Sequence, residues 1–265
     1  MQRRQFLAAS LAASAAAFAR EAAAAQADGQ RPREFYQIRR YSLTTGPQTK
    51  LTESYLNDAL IPALAKMGMR PVGAFRLELG PETPAYYVLI PGTSSSALTE
   101  LDLTLAKDES FLKAADAFWS APSTANAFNR VEYSMLAAFE GWPKLVPPPS
   151  SATRAKRIFQ LRTYESPSYR DHVRKVEMFN SGEFEIFKNA GCNPVFFGDT
   201  LVGTRMPSLT YMLSFANSAD LDARWDVFRN DPAWKKLSSD QHYAFEPIVS
   251  NITNLVLSPL DCSQL

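Results

Sequence analysis

The chain has 265 residues, with 28 Lys and Arg against 27 Asp and Glu and a formal net charge of +1. Hydrophobic residues make up 46% and charged residues 21%, which suits a globular chain and excludes a fibre or a fully disordered one. There is no basic excess to bind nucleic acid, and two Cys and two His exclude a disulfide-rich scaffold, a four-Cys zinc site and a His-rich metal centre.

Residues 1–27 read as an address. Arg3-Arg4-Gln5-Phe6-Leu7 precedes an Ala/Leu/Ser run, and Ala25-Gln26-Ala27 is an A-x-A-like cleavage site. The apolar run is shorter than the ~20 residues that span a bilayer. The paired arginines before Phe-Leu resemble a twin-arginine export signal, which a receptor reads. Its removal takes away three of 28 basic and one of 27 acidic residues, leaving 25 against 26. The expectation is a near-neutral periplasmic or secreted protein, with no membrane contact once the leader is gone.

The remainder is written twice. Gln37-Ile38-Arg39-Arg40-Tyr41 returns as Gln160-Leu161-Arg162-Thr163-Tyr164, 123 residues further on. Gly68, Pro71 and Val72 match Gly191, Pro194 and Val195 in that register, and Asp108, Phe111 and Lys113 match Asp231, Trp234 and Lys236. Three blocks in one register indicate a duplicated unit. In the first copy, strands are predicted over 35–43, 72–79, 86–90 and 131–139. Helices are predicted over 51–67, where Pro62 should kink or divide the helix and Gly68 should stop it, and over 97–119. In the second copy, strands are predicted over 158–164, 195–202, 211–215 and 249–257. Helices are predicted over 173–190, around Leu221–Phe228, and from Asp231, an N-cap before Pro232. Glu183 and Glu185, flanking Phe184, read as solvated. Pro147-Pro148-Pro149 should make 147–156 an extended linker between domains spanning 28–146 and 157–265.

Each copy therefore orders as βαββαβ. The fold class is α+β: two tandem ferredoxin-like units, their sheets face to face in an intramolecular α+β barrel with helices outside. The Gln-aliphatic-Arg-x-Tyr strands, Gly68–Pro71 and Gly191–Pro194, and Asn230-Asp231-Pro232-Ala233-Trp234 resemble the NIPSNAP family, whose strands open with Glu-Leu-Arg-x-Tyr. Gln37 and Gln160 stand where that family usually has Glu. The resemblance implies the dimeric α+β barrel fold, shared by cofactor-free monooxygenases, small lyases and haem enzymes. It implies no settled activity for exported bacterial members.

Strand alternation puts Gln37, Arg39 and Tyr41 on one face and Tyr36 and Ile38 on the other. Gln160, Arg162 and Tyr164 share the duplicate face, opposite Phe159 and Leu161. The apolar sets suit the helix-covered face, so the polar sets should point between the sheets. Each Arg there needs an acceptor, either a protein carboxylate or an anionic ligand. The six polar residues are thus the candidate site for a small, anionic molecule. An enzyme would use His242 or Tyr164 for proton transfer. No cofactor or metal is expected; haem on His242 or His172 is the alternative. Pairing into a homo-oligomer and bonding of Cys192 to Cys262 are left open by the sequence.

Overall fold

A computed structural model describes residues 33–265; the leader expected over 1–27 lies outside the described residues. The first half contains β1 (Phe35–Ser42), α1 (Pro47–Tyr55), α2 (Ile61–Lys66), β2 (Gly73–Leu79), β3 (Ala85–Gly92), α3 (Ser95–Thr99), α4 (Leu101–Leu105), α5 (Glu109–Trp119) and β4 (Arg130–Ala138). After α6 (Pro149–Thr153), the second half contains β5 (Ile158–Glu165), α7 (Tyr169–Met178), α8 (Phe184–Asn189), β6 (Asn193–Val202) and β7 (Ser208–Phe215). It closes with α9 (Ser218–Asn230), α10 (Pro232–Ser239), α11 (Phe245–Ile248) and β8 (Asn251–Pro259).

The strands form one closed antiparallel barrel in the order β1-β3-β2-β8-β5-β7-β6-β4. The sheets of the two halves do not stack face to face, as the sequence suggested. They join at their edges, through β2 on β8 and β4 on β6. Closure is the physical gain, because an open sheet leaves two rows of unpaired backbone N–H and C=O groups.

Edge closure also reverses the expected faces. A barrel interior is a small enclosed space, so it takes the apolar side chains of every strand. One buried cluster holds Tyr36, Phe75, Leu89, Leu136, Phe159, Phe196, Met212 and Leu257, one from each strand. A second cluster lies outside the barrel, between the first half's strands and helices, and contains Tyr41, Tyr55, Val88 and Phe118. The third is its counterpart in the second half, around Tyr164, Phe187, Phe197, Tyr211 and Trp225. The polar residues of the repeated motif therefore face the helices, not the space between sheets.

Gly68 and Gly191 close the first helical segment of each half at positive φ, 74° and 78°, where a Cβ would be strained. Both segments are divided by a π-helical turn at equivalent places, Leu56–Leu60 and Phe179–Glu183. Pro62 is not the cause, because Glu185 occupies that position in the second half, which divides all the same. The first segment also begins earlier than expected, with Pro47 at its first turn after Gly46. Asp231 does cap α10, accepting from the Ala233 N–H at 2.7 Å. The proline stretch is not wholly extended: Pro148 is, but Pro149 starts α6, and Arg154 ends it in a left-handed conformation.

Candidate ligand site

β1 delivers Gln37, Arg39 and Tyr41 to the helix-covered face. Arg39 is 1% exposed, and its guanidinium is held from three sides. Its Nε donates to Gln37 Oε1 at 2.6 Å, and Gln37 Nε2 in turn donates to the Leu98 carbonyl at 2.7 Å. Its Nη1 lies 2.9 Å from Asp102 Oδ1, and Tyr133 Oη donates to the other oxygen of that carboxylate at 2.7 Å. The Tyr133 ring sits 4.7 Å beneath the guanidinium carbon. Among the described residues, Arg39 Nη2 has no hydrogen-bond partner. A buried N–H without an acceptor costs about 1–3 kcal/mol, more when charged.

Beside it lies a cavity of about 280 Å³ lined by Arg39, Tyr41, Tyr55, Asp102, Phe118, Trp119, Phe128, Val131 and Tyr133. The volume is at the small end for ligand pockets, about 300–1,000 Å³. Tyr55 and Phe118 stack at 4.0 Å between ring centroids, and Trp119 Nε1 donates to Tyr55 Oη at 3.3 Å. Burial pushes the Tyr41, Tyr55 and Tyr133 hydroxyls above the ordinary phenol range, so all three are neutral donors near pH 7. Burial alone would lower the Arg39 pKa, but Tyr41, Tyr133 and Asp102 hold it above its ordinary value. The site is a fixed cation in an aromatic wall.

The duplicate residues are used differently. Arg162 lies under Trp225 at 4.5 Å and beside Tyr164 at 5.3 Å, and its Nη2 donates to Tyr164 Oη at 3.1 Å. Tyr164 and Tyr211 share a hydrogen bond of 2.8 Å. Gln160 is saturated: Trp225 Nε1 donates to its Oε1 at 2.7 Å, and its Nε2 donates to Asn254 at 2.9 Å. The six motif residues therefore do not converge on one space. They form two separate clusters on opposite helical layers of the barrel.

The histidines line neither cluster. His242 follows α10 on the surface, with Nε2 3.2 Å from Glu177 Oε2. His172, on α7, is 2.7 Å from Asp199 through Nε2. Among the described residues, no group of three or more His, Cys, Asp or Glu could hold a metal ion, and no helix is long and apolar enough to cross a membrane.

Sequence reasoning missed Asp102, Tyr55 and Tyr133, because their helices and strand meet Arg39 only through the fold. Asp102 could have been found: it stands in α4 123 residues before Trp225, where the two copies differ in charge. Lys175 and Glu183 were also missed. They form a fully buried ion pair of 2.7 Å, with Lys175 Nζ 4.5–4.8 Å from the Phe179 and Phe245 rings. Glu183, expected to be solvated, is 1% exposed, because it stands four residues from both Phe179 and Phe187 and shares their buried face.

The NIPSNAP family model matches residues 159–264, most of the second half. No curated protein matches the chain. Among solved structures, the chain is similar to a "putative monooxygenase" of Lactobacillus acidophilus NCFM at 10% identity and a TM-score of 0.56, covering 86% of this chain and 94% of that one. An anthrone oxidase-like protein is similar at 9% identity and a TM-score of 0.50, covering 86% and 92%. A NIPSNAP-like domain protein of Burkholderia xenovorans is 14% identical, at a TM-score of 0.36, over 40% of this chain and 86% of its own. At these identities the first two likenesses show the fold, a mixed α/β protein built on an antiparallel barrel.

Proposed function

We propose that this is an exported, NIPSNAP-like small-molecule-binding protein of two ferredoxin-like units, and that its ligand is a small aromatic monoanion held by Arg39. The observation that carries this reading is the unpartnered Nη2 of a buried guanidinium beside an aromatic cavity of about 280 Å³. Gln37 accepts from Nε and Asp102 lies against Nη1, so Nη2 is the guanidinium nitrogen left without an acceptor. The ligand binds under the first half's helices, not between the sheets.

Thermal melting with benzoate and related aromatic carboxylates tests it. The wild type should gain stability in proportion to ligand, and Arg39→Gln should remove the gain. Arg162→Gln should keep it: Arg162 Nε also lacks a partner, but Trp225 and Tyr164 lie against that guanidinium where Arg39 borders a cavity. An equal ligand shift in wild type and Arg39→Gln would sink the reading. Export is tested separately: Arg3→Lys with Arg4→Lys keeps the charge, and should leave the precursor in the cytoplasm.

A second reading is an enzyme of the small-molecule α+β barrel kind, as the names of the structural neighbours suggest. The same cavity would be its active site, with Asp102 and the neutral Tyr41, Tyr55 and Tyr133 as the groups able to exchange protons. It predicts oxygen uptake with hydroxylated aromatic compounds, lost in Arg39→Gln. Haem on His242 or His172 would appear as a Soret band after addition of haem to the purified protein.

A further inference from the structure

A second cavity, of about 310 Å³, opens at one mouth of the barrel, where β1, β5 and β8 end or begin. It is built from both halves, and none of its lining residues lines the Arg39 cavity. Its floor is apolar, from Ile38, Leu161 and Leu255. Its wall is a belt of hydroxyls: Ser134, Thr163, Thr200, Ser208, Thr210 and Thr253. Two ion clusters guard the rim. Arg40 donates to both Glu82 and Glu132, and Arg205 reaches Glu165 at 3.4 Å and Thr253 Oγ1 at 2.8 Å. Tyr87 adds an aromatic ring to the lining.

The polar layer has no evident structural need. Interior strand positions deeper in the barrel are filled by Tyr36, Phe75 and Phe196, and apolar side chains would pack the mouth equally well. Instead, the hydroxyls occupy one another: Thr163 and Thr210 pair at 2.8 Å, and Ser208 donates to Thr200 at 3.1 Å. Each hydroxyl has one donor and two acceptor positions, so such pairs retain capacity toward a guest. The rim's carboxylates and guanidiniums are planar two-point partners suited to vicinal hydroxyls. Arg40 and Arg205 are already paired with Glu82, Glu132 and Glu165, so the rim offers no free cation to hold an anionic guest.

We propose that the barrel mouth is a second binding site, for an uncharged polyhydroxylated molecule of monosaccharide size. Its volume is at the lower limit of ordinary ligand pockets, about 300–1,000 Å³. The chemistry differs from that of the Arg39 cavity, so the two sites should take their ligands independently.

Amide NMR of the mature chain, titrated with glucose, galactose, ribose and glycerol, tests the proposal. At least one sugar should give saturable shifts clustered on 161–163, 203–210 and 253–255, with a Kd of about 10 mM or tighter. Ser134→Leu fills the mouth with an apolar side chain and should abolish these shifts while leaving the melting temperature unchanged or higher. Thr210→Val should weaken binding at least about tenfold, which is 1.4 kcal/mol. Benzoate-induced stabilisation, read in the same variants, should persist, so failure at the mouth is distinguishable from failure at Arg39. No saturable shift with any of the four probes, or shifts unaltered by Ser134→Leu, would overturn the proposal.

Discussion

The two helix-covered faces of the barrel start from the same strand motif and reach opposite ends. On the first, Arg39 stands across from Val88 and Tyr133; on the second, Arg162 stands across from Tyr211 and Asn254. The next difference comes from the helices, Asp102 in α4 against Trp225 in α9. A small aliphatic residue and a half-exposed carboxylate leave space beside Arg39. Two large aromatic residues occupy the corresponding positions beside Arg162, and a buried Lys–Glu pair lies under its π turn. The repeated strand motif thus places one arginine on each helix-covered face. Packing closed one as structure and left the other open, which is why function is sought on the first face although the family model matches the second.

The strongest break in this contrast is at Lys175 and Glu183. Burial lowers the lysine's pKa and raises the glutamate's, each partly opposed by the partner's charge. Glu183→Gln leaves the ammonium buried without a counter-charge and should cost about 3–5 kcal/mol. Lys175→Met with Glu183→Leu removes both charges and should be neutral or stabilising. Urea denaturation of the three proteins checks it; a double variant as unstable as the single one would show that the pair holds the π turn in place.

Trp225→Ala should cost slightly less, about 3–4 kcal/mol, from the cavity and the lost partner of Gln160. It also sharpens the comparison, since it opens beside Arg162 the space that Asp102 permits beside Arg39. Benzoate should then stabilise Trp225→Ala more than the wild type. A shift no larger than that of the wild type would mean that an open arginine is not sufficient. Asp102→Asn is milder still. The carboxylate is 36% exposed, so its loss should cost only about 1–2 kcal/mol, while removing the internal counter-charge of Arg39 should tighten benzoate binding about tenfold.

Much of this architecture was legible in the chain. The 123-residue register, both glycine helix stops and the Asp231 cap are local signals with local causes, and each stands where expected. Which face of β1 and β5 is inside was not legible. Alternation separates Arg39 from Ile38, but only closure through β2–β8 and β4–β6 makes the interior too confined for charge. The motif residues were found for the same reason that their site was misplaced. Their repetition is visible in sequence, whereas Asp102, Tyr55 and Tyr133 reach Arg39 through three different elements. Glu183 stands four residues from both Phe179 and Phe187, so helical spacing already placed it on the buried face, and Gly182, at φ 147°, marks the irregular turn beside it.

The two cysteines give the smallest effect and probe both layers at once. Cys192 packs in the second half's core and Cys262 against the first half's, so the native fold holds them apart and unbonded. Burial pushes the Cys192 thiol up to about 12, while Cys262, less enclosed, is raised to a lesser degree. With DTNB at pH 8, Cys262 should react first, and Cys192 should react about a hundredfold more slowly, at a rate set by opening of its layer. The sign of the pH dependence follows from the raised value. Below about pH 8.5 the thiol is protonated in both folded and unfolded chains. Above that, the unfolded thiol ionises while the folded one keeps its proton, so stability falls as pH rises toward 12. Cys192→Ala should flatten that alkaline decline in a series of melts, at a cost of about 1 kcal/mol in packing at neutral pH. An unchanged decline would assign it to the buried tyrosines, and equal DTNB rates at the two thiols would show that the aromatic layer around Phe187 and Trp225 opens as readily as the cavity side.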